Sequence, residues 1–366
     1  MASDDPALQT LVERVQGARA QRRPLAIRGA GTKSFYGETA QGEPLDVTGL
    51  AGISSYEPTE LVISARCGTT LAELEATLAG QGQCLPFEPP HFGPGATVGG
   101  MVAAGLAGPA RAAVGGVRDY LLGATLLDGR GELLGFGGQV MKNVAGYDIA
   151  RLAAGSMGTL GVICEVSLKV LPMARATATL RFELDQAAAI ERLNAWAGKP
   201  LPLNASAWWD GVLVIRLRGA VAAVDAAQAL LGGETIPDNA AQGFWGGLRE
   251  QTDDYFGAAR RACEESAATR LWRLSLPPTA PPLALTGALL IEWGGALRWL
   301  CTDLPAARVR DAATAAGGHA TIFRANDKSP GVFTPLAAPL ARIQRELKRA
   351  FDPDGILNPG RLYPGL

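Results

Sequence analysis

The chain has 366 residues, 34 basic and 35 acidic side chains, and a net charge of −1. So even a balance lays down no electrostatic footprint for nucleic acid or an anionic membrane, and the length, at roughly 100–200 residues per domain, implies about two domains that need no disulfide staples. No run of about 18 apolar residues marks a membrane span, and the acidic start Met1-Ala2-Ser3-Asp4-Asp5 is unlike a secretion signal, so a cytoplasmic protein is expected.

In chain order, Pro24–Arg28, Leu45–Thr48 and Leu61–Arg66 read as short strands. Thr70 and Glu73 form a capping-box pattern, and Leu71, Leu74 and Leu78 then share one helical face. Asp128-Gly129 between apolar pairs predicts a hairpin, and Val162–Val170 alternates like a half-buried strand. Composition changes near residue 173. Of the 46 glycines, 28 lie at or before Pro172, whereas all seven tryptophans lie after it. We therefore place a boundary between Lys169 and Arg175. Beyond it the pattern predicts strands at 177–182, 212–217, 271–276, 288–293 and 297–301, with helices at 187–196, 221–231 and 306–316. This is an α+β layout with an antiparallel sheet and helices on one face. A last helix over 340–351 carries an apolar stripe of Leu340, Ile343, Leu347 and Phe351. Its basic residues Arg342, Arg345, Lys348 and Arg349 read as a solvated face.

The five cysteines (Cys67, Cys84, Cys164, Cys263, Cys301) contain no CxxC pair, which disfavours a disulfide framework, a zinc site and an iron–sulfur cluster. With His91 and His319 as the only histidines, a multi-histidine metal centre cannot be assembled, and no metal is expected.

Three segments are too rich in glycine for ordinary turns. In Arg28-Gly29-Ala30-Gly31-Thr32-Lys33-Ser34, directly after a strand, successive N–H groups can converge on phosphate oxygens. The segment fits neither a Rossmann fingerprint, because Ser34 stands where glycine or alanine is needed, nor a P-loop, because Thr32 precedes Lys33 and Ile27 occupies the first glycine position. A tight surface turn is the competing reading. Gly93 to Gly100, continuing through Ala103, Ala104, Gly105 and Gly108, offers a bare wall for something flat, or close helix–strand packing. Lys142 to Asp148, followed by Gly155-Ser156-Met157-Gly158-Thr159-Leu160-Gly161-Val162-Ile163, suits a catalytic loop or a structural hairpin.

Taken together in this order and spacing, the segments resemble the FAD-binding domain of the vanillyl-alcohol oxidase / p-cresol methylhydroxylase (PCMH-type) family. Gly115 to Asp119, Gly137 to Asp148 and Ser167 to Pro172 are similar in particular to the FAD-binding subunits of bacterial glycolate oxidases. The resemblance implies a PCMH-type FAD-binding domain of two α/β subdomains at 1–173. An α+β cap with an antiparallel sheet would occupy 174–335, and a helix and tail over 336–366 would return to the first domain. It implies FAD as cofactor, with Arg28, Gly29, Ala30, Gly31, Thr32, Lys33 and Ser34 as the pyrophosphate loop. Gly95, Ala96, Thr97, Gly99 and Gly100 would contact the diphosphate and ribityl chain. Gly155, Ser156, Gly158, Gly161, Val162 and Ile163 would line the flavin and adenine side, and Asn358 would close over the flavin. The absence of histidine before His91 excludes covalent attachment in the pyrophosphate loop, so the FAD is expected to be non-covalent.

The chain departs from its relatives at Gly105, where asparagine is common, and at Met157, where glutamate is common. The histidine-rich acidic cluster of related 2-hydroxyacid dehydrogenases is missing, so no general base is evident. His91 and Tyr147 are weak catalytic candidates. A structural hydrogen bond is the plainer reading of His91, a turn role of Asp148, a surface pair of Lys142, a solvated terminus of Arg361, and a core strand of Trp208-Trp209. The resemblance implies a subunit relaying electrons or scaffolding a complex with a catalytic flavin subunit and an iron–sulfur subunit, cytoplasmic or peripheral to the inner membrane through that complex. A self-sufficient 2-hydroxyacid oxidoreductase and a non-catalytic assembly protein are the alternatives.

Overall fold

The computed structural model describes residues 5–138 and 148–366. The chain divides into two compact units, one of Met1–Leu106, Gly116–Pro172 and Pro335–Leu366, the other of Ala107–Gly115 and Met173–Thr334.

The first unit opens with a helix that the sequence reading passed over, Pro6–Gln21. Asp5 caps it, its carboxylate accepting from the N–H groups of Ala7 and Leu8 at 2.9 and 3.3 Å, and Pro6 stands where a missing N–H costs nothing. Leu8, Leu11, Val15 and Ala18 recur at helical spacing and pack on Leu25, Leu45, Val47, Ile356 and Leu357. Each large side chain so buried contributes about 1.5–3 kcal/mol. The strands Leu25–Arg28 and Glu43–Asp46 pair in parallel. A separate five-stranded antiparallel sheet has the order Ile53–Glu57, Val62–Arg66, Val162–Lys169, Leu121–Leu127, Leu133–Gly137. Its last two strands form the Asp128-Gly129 hairpin. Thr70 caps the helix Leu71–Ala79, accepting from Glu73 N–H at 3.2 Å.

The second unit is an eight-stranded antiparallel sheet in the order Glu234–Ile236, Ala176–Glu183, Val212–Gly219, Leu203–Trp209, Ala288–Glu292, Leu297–Thr302, Arg270–Ser275, His319–Arg324. The expectation of helices on one face needs correction. Leu180 of the sheet packs with Val224 and Ala227 of the helix Val221–Leu231, and Trp272 and Leu274 pack with Val309 and Ala313 of the helix Ala306–Ala315. Thr179, next to Leu180 and so on the opposite face, accepts a 3.0 Å hydrogen bond from Trp245 Nε1 of the helix Asp238–Glu250. Tyr255 of the helix Asp254–Glu265 donates to the carbonyl of Trp299 at 2.8 Å. Helices therefore cover both faces. Trp208 lies half-buried in a strand, its Nε1 donating to Leu184 O at 2.8 Å.

The last helix, Ala338–Phe351, also differs from expectation. Leu340 and Ile343 are exposed, whereas Lys348 from the supposed solvated face is buried. The reason is an ion pair one turn on. Lys348 Nζ donates to Asp352 Oδ2 at 2.6 Å, to Leu357 O at 2.6 Å and to Thr159 O at 2.8 Å. Asp352 in turn accepts from the N–H groups of Ile356 and Leu357 at 3.1 and 2.8 Å. Three acceptors leave no ammonium proton without a partner, which is what makes burial of this charge tolerable.

Candidate cofactor-binding site

The strand Leu25–Arg28 ends in a turn that forms one wall of a cleft in the first unit. The cleft encloses about 570 Å³ of empty space, part of it open to solvent. Arg28, Gly29, Ala30, Gly31, Thr32, Lys33 and Ser34 all line it, with Ile27, Thr97, Gly100, Ala103, Ala104, Met157, Asn358 and Arg361.

The turn is held open by its backbone. Gly31 has φ +75°, a conformation that favours glycine, and Ser34 N–H closes back on Gly31 O at 3.0 Å. The N–H groups of Ala30, Gly31 and Thr32 donate to no acceptor among the described residues. Donors left so, at the mouth of a cleft, suit the oxygens of a bound phosphate. A side chain at Gly29 would collide with Thr97 Oγ1, so the close approach of these two segments needs glycine there. Lys33 Nζ donates to His91 O at 3.2 Å and lies 5.7 Å from the centre of the Phe92 ring. Another wall is the helix Val98–Ala104, which presents Gly100, Ala103 and Ala104. Thr97 caps it by accepting from Gly100 N–H at 3.1 Å. A wall this bare admits a broad flat group.

Other residues singled out from the sequence stand behind the cleft. Gly95 packs on Ala30, toward which a Cβ would reach to 3.3 Å. Ala96 O accepts from Leu71 N–H at 2.7 Å, and Gly99 donates to Cys67 O at 2.8 Å. A Cβ on Gly99 would come within 2.6 Å of the Cys67 Cβ, so glycine here serves close packing. Gly155 donates to Val102 O at 2.9 Å. Ser156 is buried and its hydroxyl donates to Ala153 O at 2.9 Å. Gly158 meets Asn358, Gly161 meets Leu127 O, and Val162 and Ile163 are buried in the strand Val162–Lys169. Gly95, Ala96, Gly99, Gly155, Ser156, Gly158, Gly161, Val162 and Ile163 are not among the residues that line the cleft.

Asn358, with φ +43°, spends its amide on the protein. Its Oδ1 accepts from Ile27 N–H at 2.6 Å and its Nδ2 donates to Met157 O at 2.6 Å. Arg361 is not the solvated terminus its position suggests: it is 9% exposed. Its guanidinium donates to Tyr36 O at 2.5 Å, to Ser34 O at 3.1 Å and to Glu38 O. Burial pulls its pKa below the ordinary arginine value, and the Glu38 carboxylate opposes that shift. Ala103 and Ala104, which the sequence offered as part of a bare wall, line the cleft, whereas Ile27, Met157 and Arg361 were not expected to line it. Two of these three are apolar, and only Arg361, three residues beyond Asn358, offered a chemical signal.

His91 does not line the cleft. Its Nε2 lies 3.1 Å from Glu75 Oε2, an ordinary structural contact. Asp148 pairs with Arg151 at 2.9 Å. Lys142 and Tyr147 lie outside the described residues. Among the described residues, no three His, Cys, Asp or Glu side chains gather to hold a metal.

Unpaired main-chain donors beside a bare wall suit a phosphate-linked flat cofactor, and FAD is such a group. A family model described as "FAD binding domain" matches residues 8–137. The chain is 48% identical over 358 residues to glycolate oxidase subunit GlcE of Escherichia coli (strain K12), covering 98% of each chain. Glycolate oxidase subunit GlcD of Bacillus subtilis (strain 168) is 29% identical over 161 residues, 43% of this chain and 34% of that one. A solved alkyldihydroxyacetonephosphate synthase shares the fold at TM-score 0.62 and 16% identity, covering 96% of this chain and 74% of that one. The chain belongs to the GlcE family of glycolate oxidase subunits, FAD-dependent oxidoreductases.

Proposed function

We propose that this chain is the FAD-carrying subunit of a multi-subunit glycolate oxidase that converts glycolate to glyoxylate. It would work as electron relay or scaffold beside a catalytic flavin subunit and an iron–sulfur subunit. The observation that carries this reading is the match to GlcE over nearly the whole of both chains. Bound FAD supplies a two-electron acceptor. The residues of this chain that would hold it are the Arg28–Ser34 turn, in which the N–H groups of Ala30, Gly31 and Thr32 have no acceptor among the described residues and would suit the diphosphate, and the wall of Gly100, Ala103 and Ala104. Arg28 and Lys33 add positive charge beside the phosphates.

Oxidising a 2-hydroxy acid also needs a base for the hydroxyl proton. His91, tied to Glu75 and away from the cleft lining, is poorly placed for that work. This favours a division of labour in which a partner subunit removes the proton. No helix among the described residues is long and apolar enough to cross a membrane. We place the chain in the cytoplasm or at the inner membrane by way of its partners.

The test is to purify the chain alone and as part of its co-expressed complex, then assay glycolate with an artificial electron acceptor. The proposal expects flavin in both preparations and turnover only in the complex. Turnover by the isolated chain would instead establish a self-sufficient oxidoreductase. A chain that takes up no FAD in either form would be an assembly protein.

A further inference from the structure

We infer that Arg361 is a positioning residue for FAD: a buried clasp on the C-terminal tail that sets the shape of the phosphate-facing turn. The inference rests on the FAD site and is independent of the proposed glycolate reaction.

Three contacts of one tail carry the argument, and each reaches a different segment around the cleft. Lys348 donates to Thr159 O, at the far end of the loop that begins at Gly155. Asn358 joins Ile27 N–H, one residue before the turn, to Met157 O in the loop that begins at Gly155. Arg361 then reaches the segment that follows the turn, with its guanidinium donating to the carbonyls of Ser34, Tyr36 and Glu38. Its own carbonyl accepts from Glu38 N–H at 3.0 Å.

Within the turn, Ser34 N–H closes on Gly31 O, and the N–H groups of Ala30, Gly31 and Thr32 have no acceptor among the described residues. The Arg361 contacts are divided between its two terminal nitrogens, Nη1 to Glu38 O and Nη2 to Ser34 O and Tyr36 O, a spread that a planar fork spans and the single nitrogen of a lysine does not reproduce. The two flanks of the turn are thereby pinned by residues three apart in the tail, Asn358 and Arg361. A guanidinium whose hydrogen bonds are satisfied by carbonyls also keeps its net positive charge beside the cleft, where an anionic diphosphate gains from it.

The experiment prepares the apo-protein of wild type, Arg361→Lys and Arg361→Met and titrates each with FAD, following flavin fluorescence. Amide hydrogen exchange of residues 29–38 is measured on the same samples. The expected result is a rise in the FAD dissociation constant of at least tenfold in R361M, a smaller rise in R361K, and faster exchange confined to the turn. The exchange profile of the eight-stranded sheet should stay as in wild type. An FAD dissociation constant within twofold of wild type in folded R361M would overturn the inference. So would wild-type affinity in R361K alongside weakened R361M, because charge alone would then suffice. Should R361M fail to fold, R361K decides by itself: a loss of affinity with local exchange supports the clasp, and wild-type behaviour refutes it. A wild-type chain that binds no FAD would defeat the cofactor assignment itself, a distinguishable result.

Discussion

Replacing Lys348 with methionine tests how the C-terminal tail is held. The substitution keeps the volume and removes one buried charge with its three hydrogen bonds, at 2.6, 2.6 and 2.8 Å. It leaves the Asp352 carboxylate, whose side chain is 0% exposed, with only two backbone N–H donors. Breaking a buried pair in this way costs about 3–5 kcal/mol, because the remaining charge has no compensation. With a urea m-value of about 2 kcal/mol per molar, the midpoint of the first unit should fall by about 2 M. The two units can be read separately. All seven tryptophans lie between Trp196 and Trp299, within the second unit. Tryptophan fluorescence therefore follows that unit, while release of bound flavin follows the first. K348M should shift the flavin-release midpoint and leave the tryptophan midpoint in place. The double variant K348M/D352N, which removes the orphaned charge as well, should recover part of the loss. A flavin midpoint displaced by less than about 0.5 M, or an equal displacement of both probes, would refute the reasoning.

Other substitutions probe separate parts of the structure. Gly158→Ala places a methyl 2.7 Å from Asn358 Nδ2 at a residue with φ +73°, so it should weaken FAD binding several-fold, whereas Gly135→Ala, with nothing within 4 Å, should leave it unchanged; fluorescence titration distinguishes them. Burial, then repulsion from Arg273, holds the His319 pKa below its usual 6.5. The unfolded chain therefore binds this proton first, and its contribution to stability is complete above pH 6.5 and lost as pH falls from there toward the folded value. Urea midpoints read by tryptophan fluorescence between pH 7.5 and 5.5 should show a slope that His319→Gln reduces. Native thiol labelling should modify Cys84 first, because Cys67, Cys164, Cys263 and Cys301 are buried and burial pushes the Cys164 thiol up to about 12. Mass spectrometry of the labelled peptides checks that order. His91→Gln should bind FAD as wild type does, since the ring touches Glu75 and does not line the cleft.

Local signals in the sequence were enough for many elements. The Thr70 cap, the Asp128-Gly129 hairpin and the alternating strand from Val162 depend on neighbours within a few residues, and pattern reading reaches that far. The helix at Pro6–Gln21 was legible too, through Asp5, Pro6 and the spacing of Leu8, Leu11, Val15 and Ala18, but its charged outer face hid it. What could not be read were contacts decided by the tertiary fold. Lys348 sits among arginines at spacings that suggest a solvated face, and only Asp352 four residues later hinted at a buried pair. Arg361 was invisible as a clasp because its acceptors are carbonyls more than 320 residues away. Glycines such as Gly29 and Gly99 carry no mark that separates a ligand-facing position from a packing one. A Cβ would strike protein in both cases, Thr97 at Gly29 and Cys67 at Gly99, and only the folded cleft, which Gly29 lines and Gly99 does not, separates them.

The central claim is that main-chain donors of the first unit hold a dissociable FAD. Its most direct test is to reconstitute the purified chain with excess FAD, remove the free cofactor, record the absorbance at 450 nm, and then precipitate the protein with acid. The account predicts a yellow protein with about one FAD per chain, and all of the flavin in the supernatant after precipitation. A colourless protein after reconstitution, or flavin that stays with the pellet, would contradict it.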